Sequence, residues 1–278
     1  MIATSPSMTM QRVVVSLSRE ELYVIMRLLN ASQLPGFDLT WLNATPDGEV
    51  PDNVRQTLDV AANALIARGY MSLQEPVETE KVQINIPSPV IALVGACIFG
   101  ENSILLSLHT PDGPKLTYLH QLRELGVVHT VPLPDVHQFE ALNGREGVLS
   151  VMNDMLNLQE QSVSTLPASK VLAVNMQIAR DAAIAGKVDE AVELLVRGGL
   201  PAATAQELGK AMKEATALGS IIAAKREDDG KQRDAALAIV VTPTLCFALS
   251  DEDSHPSAFH VQPTSAGALR RWVASYLS

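Results

Sequence analysis

Six histidines, two cysteines and two short acidic runs are the residues of this 278-residue sequence best suited to hold a metal or drive a reaction. His109, His120, His129 and His137 lie nearest to one another, at separations of 11, 9 and 8 positions. A structural zinc site takes its ligands from His or Cys pairs a few positions apart, so that one turn presents both. The longer separations here put the imidazoles on different strands and turns, and no ligand set closes. Glu227-Asp228-Asp229 and Asp251-Glu252-Asp253 carry the right oxygens for a hard cation, yet acidic runs this short are far more often solvated hairpin connections. Nucleophilic catalysis needs a serine or cysteine in a recognisable turn, with a base and an orienting acid, and no such arrangement is legible. Cys97 and Cys246 sit within apolar segments, the usual setting of buried reduced thiols. Gly95 and Gly100 flank an apolar run without the lysine and following helix of a phosphate-binding loop. Thr-Pro-Asp-Gly, found at Thr45 to Gly48 and Thr110 to Gly113, is ordinary turn chemistry. The residues predict no catalytic group, no metal and no cofactor.

Composition narrows the partners. Hydrophobic residues make up 47% of the chain but aromatics only 4%, so Ala, Val, Leu and Ile must do the packing. Single-strand nucleic-acid platforms need aromatic faces beside basic charge. A net charge of -10 opposes the phosphate backbone as well. The longest apolar run, Val90 to Phe99, is about half of what a bilayer-spanning helix requires. The residues Met1-Ile2-Ala3-Thr4-Ser5-Pro6-Ser7 lack a basic region followed by an apolar core, and a cytoplasmic location is expected.

The elements that would position any site come in two similar runs. Residues 88 to 139 pass from Val90-Ile91-Ala92-Leu93-Val94 through Gly100, Thr110-Pro111 and His129-x-x-Pro132 to an amphipathic segment; residues 218 to 277 pass from Ile221-Ile222-Ala223-Ala224 through Gly230, Thr242-Pro243 and His260-x-x-Pro263 to another. Fixed spacing of turn and strand signals is the mark of a repeated supersecondary unit. The expected fold is α+β, a pseudo-twofold duplicated unit with an antiparallel sheet flanked by helical bundles, in which Thr110-Pro111 matches Thr242-Pro243 and His129 matches His260. A tail over residues 1–10, an N-terminal half over 11–160 and a C-terminal half over 161–278 would form one compact domain. In the first half, Ser18-Arg19-Glu20-Glu21 reads as a capping box opening a helix with Leu22, Ile25, Met26 and Leu29 on one face. A second helix runs from Asp52 to Arg68 and closes at Gly69. Strands are expected at Val90–Ile98, Ser103–Leu108, Leu116–Leu119 and Val127–Val131, followed by a helix capped by Asp135 that includes Val136 and Phe139. The second half opens with helices from Lys170, Val188 and Ala202, continues in four strands, and ends in a helix whose Leu269, Trp272, Val273 and Tyr276 share one face as core closure.

This order of helices, four strands and a helix, stated twice, resembles the EspG family of type VII secretion chaperones. Glu20-Glu21-Leu22 with Leu34-Pro35, and Ala64-Leu65-Ile66-Ala67-Arg68-Gly69-Tyr70, are similar to the family's first two helices and their exits. Gly219-Ser220-Ile221-Ile222-Ala223-Ala224-Lys225-Arg226, Val240-Val241-Thr242 and Val261-Gln262-Pro263 follow its late strands. The family usually has a further helix after Arg-Gly, where Met71 to Ile86 here is charged and broken by Pro76. The resemblance implies a cytosolic, non-enzymatic protein that keeps a hydrophobic helical secretion substrate soluble before export. It implies a client surface on the sheet and second-half helices, which makes Leu195, Leu200, Leu208 and Met212 candidate contacts, with the hairpin tip at Pro111 and Asp112 as another. The alternative is a small-molecule or regulatory binding protein that uses the cleft between the halves.

Overall fold

The computed structural model describes residues 13–42, 50–74, 83–158, 165–226, 231–252 and 255–277. The expected N-terminal tail, the Thr45–Gly48 turn and the Glu227–Asp229 run lie outside them. The fold is α+β, and the strand pairings it shows are antiparallel. The chain divides into two compact units, residues 1–99 with 127–142, and residues 100–126 with 143–278.

The first unit begins with β1 (Val14–Ser18) and runs directly into α1 (Arg19–Leu28). The junction is the expected capping box. Ser18 Oγ accepts from the Glu21 amide at 3.2 Å, and Glu21 Oε2 accepts from the Ser18 amide at 2.8 Å. Leu22, Ile25 and Met26 are buried, so the stripe seen in the sequence is the packed face. Helix α2 (Asp52–Ala67) buries Val54, Ala61 and Leu65, and Gly69 follows it with a φ of 71°, where a side chain would be strained. A short ribbon of β2 (Ser72–Gln74) and β3 (Gln83–Asn85) leads into α3 (Ser88–Phe99). Strand β1 pairs with β7 (Val136–Asn143), and β7 neighbours β6 (Leu125–Leu133). Side chains cover the outer edge of β1: Arg68 Nη2 donates to the Ser16 carbonyl at 2.6 Å, and the Ser18 amide is held by Glu21. A bare edge would otherwise invite pairing with another chain.

Two expectations need correction here. Val90 to Ile98 is helical, with Val90, Leu93, Val94 and Cys97 buried at helical spacing, while Ile91, Ala92 and Phe99 face outward. An apolar run bounded by turn signals cannot be assigned by periodicity alone, and Pro89 in the first turn suits a helix. Conversely, Val136 to Leu142 belongs to a strand, because Asp135 takes a φ of 61° in a tight turn instead of capping a helix. The helix begins only at Gly144.

In the second unit the strands run in the order β5 (Gly113–Leu122), β4 (Asn102–Thr110), β9 (Ala217–Arg226), β10 (Gln232–Val241), β11 (Cys246–Glu252), β12 (His255–Thr264) and β8 (Ser169–Leu172). One face is closed. Thr117, Leu106, Ile221 and Leu237 are neighbours across four strands and all are buried. Helix α4 (Gly144–Leu156) lies on β5 and against α8 (Ala266–Ala274). Arg145 Nη2 donates to the Ala274 carbonyl at 2.8 Å, and Arg270 pairs with Glu146 at 2.7 Å. The other face carries a bundle of α5 (Ala173–Ile184), α6 (Val188–Arg197) and α7 (Ala202–Lys213), which rests on β10, β12 and β8. Gly198 and Gly199 let this bundle close on β8. A Cβ at Gly198 would come within 2.8 Å of the Val171 and Asn175 side chains, and the Leu172 amide donates to the Gly198 carbonyl at 2.9 Å.

Apart from a short 3-10 helix at Thr40–Leu42 and the β2–β3 ribbon, which have no counterpart among the described residues of the second run, one strand, three helices, four strands and one helix are followed by one strand, three helices, four strands and one helix. The landmarks used to align the two runs nevertheless fall on different elements. Thr110-Pro111 follows the first strand of its run of four, whereas Thr242-Pro243 follows the second; His129 lies on the third strand and His260 on the fourth. The proposed register is thereby overturned, since Thr-Pro turns and His-x-x-Pro are cheap matches in any run of short strands.

The face shared by Leu269, Trp272, Val273 and Tyr276 is only partly a core face. Leu269, Val273 and Tyr276 are buried, while Trp272 is half-buried with its ring 5.2 Å from that of Tyr276. Trp272→Ala should therefore cost about 1–2 kcal/mol, below the roughly 3–5 of a fully buried aromatic. Leu269→Ala should cost more. Urea midpoints of the two variants check this, and an equal or larger loss for Trp272→Ala would contradict it.

Candidate functional site

The second unit leaves part of its helix-bearing face uncovered, and this is the candidate site. Leu116, Ser107, Ser220, Ala238 and Leu249 form one row across β5, β4, β9, β10 and β11. Leu249 is buried under the helical bundle, Ser220 and Ala238 are half-buried, and Ser107 and Leu116 are exposed. The next row, Tyr118, Leu105, Ile222 and Ala236, is exposed or half-exposed throughout. Antiparallel sheets often leave one face to water, but that face is then polar. Here it is largely apolar and built of small and aliphatic side chains.

Helix α5 bounds this face and forms a groove of about 430 Å³ with it. Met176, Gln177, Arg180 and Ile184 make one wall, Leu218, Ser220, Ala238, Val240 and Phe259 the floor, and His109 and Pro114 the far rim. Arg180 turns to Asp181, its Nη2 lying 2.9 Å from Oδ1, so the one guanidinium or ammonium group that lines the groove among the described residues already has a partner. Helix α5 exposes Ile184 on this wall at 46%, and Val174 and Ile178 elsewhere on its surface at 64% and 49%. An apolar face flanked by a helix with its own exposed apolar residues is the kind of surface that marks an interaction site.

Strand β9 can approach β4 this closely because residue 219 is glycine. Gly219 stands opposite Leu108, and a Cβ there would overlap the Ser107 carbonyl oxygen and lie 2.9 Å from Leu108 Cα.

Of the residues singled out in the sequence, Leu195, Leu200, Leu208 and Met212 are buried together with Met176, Ala179 and Phe247 in the core that holds the bundle on the sheet. Pro111 and Asp112 are exposed in the turn between the lining residues His109 and Pro114, with Asp112 paired to Lys115 at 3.1 Å. The groove itself has no motif. Ser107, Ser220 and Ala238 read as ordinary strand residues, and only the position of α5 makes them a floor.

The four histidines from His109 to His137 separate into three settings. His109 is exposed at the groove rim. His129 and His137 form a buried pair in the first unit. His120 is fully buried, with Nδ1 3.0 Å from Ser103 Oγ, and burial pushes its pKa down to about 4. Among the described residues, no three His, Cys, Asp or Glu side chains gather as metal ligands. Burial also raises both thiols, Cys246 to about 12 and Cys97 well above its usual value, which leaves neither as a ready nucleophile at neutral pH.

The depressed His120 has a consequence for stability. Its unfolded form takes up a proton near pH 6.5 and its folded form only near pH 4, so stability is full above pH 6.5 and falls as the pH drops towards 4. The loss should reach about 3 kcal/mol, the free-energy equivalent of that difference in pKa. Urea midpoints at pH 7.5 and 4.5 measure it. His120→Asn, which keeps a hydrogen-bonding atom near Nδ1, should flatten the dependence, and an unchanged slope would place its origin elsewhere.

No protein-family model matches the chain, and no curated protein matches it. Among solved structures it is similar to the Mycobacterium tuberculosis type VII secretion system chaperone EspG5, determined in complex with a PE25–PPE41 dimer. The match covers 95% of this chain and 96% of that one, with a TM-score of 0.57 and 12% sequence identity. At that identity the likeness is one of fold. Among the described residues, no helix is long and apolar enough to cross a membrane.

Proposed function

We propose that this chain is a cytoplasmic, non-enzymatic protein-binding protein, a chaperone for a helical substrate of a type VII-like secretion system. The observation that carries the reading is the open apolar face between α5 and strands β4 and β9, in a fold shared along nearly the whole chain with a secretion chaperone. An amphipathic helix laid along such a face would bury Ile184, Ile222 and Leu116 with its apolar side, and the small residues at 107, 220 and 238 would admit it closely. The exposed turn at Pro111 and Asp112 borders the same groove and is a further contact. Leu195, Leu200, Leu208 and Met212 would serve from beneath by fixing α5 over the sheet. The recurrence of element order along the chain supports a duplicated origin for the two runs, in the register of the strands instead of the Thr-Pro landmarks.

Affinity on an apolar face comes from a few buried side chains and tolerates salt, because screening weakens exposed charge pairs far more than apolar burial. Affinity capture from lysate of the source cells, at low and high salt, should recover one stoichiometric protein under both conditions. Ile184→Asp and Ile222→Asp replace exposed residues and should abolish recovery without altering the denaturation midpoint. Recovery of no stoichiometric protein, together with a specific metabolite that copurifies, would reject the chaperone reading in favour of ligand binding.

A further inference from the structure

Strands β6 and β7 bring two imidazoles into contact inside the first unit. His129 Nε2 lies 2.9 Å from His137 Nδ1, and the two residues are 0% and 4% exposed. A contact this short between ring nitrogens requires one N–H and one lone pair, so one ring donates and the other accepts. Phe139 stacks on His129 with centroids 4.6 Å apart, and Phe37 meets His137 edge-on at 5.3 Å. Phe37 lies in the irregular segment 34–42, whose other buried apolar anchors are Leu34 and Leu42. The packing of that segment therefore touches the pair directly.

We infer that the His129–His137 pair is an acid-sensitive latch, closed while at least one ring is neutral and opened, with release of residues 34–42, when both are protonated. A first proton can leave the hydrogen bond intact, because the charged ring still donates and the neutral ring still accepts. A second proton turns the acceptor into a donor, and two cationic N–H groups then face each other in a buried site. Among the described residues, the charged groups acting on His137 are Asp135 in the β6–β7 turn and Arg19 at the start of α1, themselves paired at 3.1 Å. Burial is the largest influence on His137 and disfavours its charge; Asp135 favours the charge and Arg19 opposes it. The cross-strand neighbour on β1 is Leu17, which offers no compensating charge.

Hydrogen exchange on the full chain at pH 7.5 and 5.0, corrected for the intrinsic pH dependence of exchange, tests the latch. Peptides covering residues 34–42 and 127–142 should lose protection by about tenfold or more at pH 5.0 and regain it on return to pH 7.5. An imidazole that stays neutral when closed and regains an ordinary pKa near 6.5 when open contributes roughly 30-fold at that pH. Peptides of α5 to α7 should keep their protection. His137→Gln offers a carbonyl acceptor to His129 but takes no proton, and should hold residues 34–42 closed at pH 5.0. Equal loss across the whole chain, no loss in the native protein, or the same local loss in His137→Gln would overturn the inference. Should the variant not fold, the imidazole ¹⁵N shifts of the native protein decide: the segment should open only as the second ring becomes charged, and opening while either ring stays neutral would overturn it.

Discussion

Replacing Gly219 with alanine should cost more than about 4 kcal/mol, an unusually large effect for the addition of one methyl group. The added Cβ would overlap the Ser107 carbonyl oxygen and press on Leu108 Cα, both backbone groups that no side-chain rotation can move. Strands β4 and β9 would have to separate along the register from Asn102 opposite Lys225 to His109 opposite Leu218. Leu106 and Ile221, paired in the middle of that ladder, are both fully buried, so separation also opens the closed face of the sheet. Ser220→Ala changes the next residue at a half-exposed position and should stay within about 1 kcal/mol of the native protein. Chemical denaturation followed by circular dichroism distinguishes the two. A Gly219→Ala protein with an unchanged midpoint would mean that the strands accommodate the methyl group.

Sequence reasoning succeeded where the signal was local. The Ser18–Glu21 box closes within one turn, and both of its hydrogen bonds are formed. The turn and strand signals of the second half place strands at Ser220–Lys225, Ala235–Val241, Leu245–Leu249 and Ala258–Gln262, and β9 to β12 sit near them because short strands bounded by turn residues need no knowledge of their neighbours. It failed where two local signals competed. Val136 to Leu142 offered the alternation of a strand, with His137 and Phe139 inward, and also an apolar spacing that extended a helix upstream to Asp135. Pairing with β1 decides for the strand, and that pairing spans more than a hundred residues. The length and apolarity of Val90 to Phe99 fitted a buried strand and a buried helix alike.

The candidate site was legible only in part. The resemblance directed attention to the sheet and second-half helices, and the groove lies there, but the leucines named on it are buried in the core. A leucine on an amphipathic stripe looks the same in sequence whether it faces a partner or its own domain. The residues that stay open, Ile184, Ile222 and Leu116, are distinguished only by what the bundle leaves uncovered on β4, β5 and β9. That is a property of helix placement, and no local pattern encodes it.

Arg68→Ala should destabilise the protein by about 2–3 kcal/mol, and most of that loss should vanish when Glu21 is neutralised as well. Arg68 Nη1 lies 2.8 and 2.6 Å from the two carboxylate oxygens of Glu21, its Nη2 holds the Ser16 carbonyl, and the guanidinium covers the Tyr70 ring at 4.7 Å. Glu21 is 5% exposed, whereas the Arg68 side chain is 41% exposed. The arginine therefore gives up little hydration, and the carboxylate gives up nearly all of its own. Removing Arg68 leaves a buried charge with only the Ser18 amide as a hydrogen-bond partner among the described residues, the situation in which losing one member of a pair costs most. It also uncovers the edge of β1. Glu21→Gln keeps an oxygen for the Ser18 amide and removes the charge, so Arg68→Ala in that background should cost about 1 kcal/mol, close to the worth of a single hydrogen bond. The four midpoints of this double-mutant cycle give the coupling directly. Additive losses would show that the pair acts as an exposed ion pair of little worth and that the junction of β1, α1 and α2 is held by apolar packing alone.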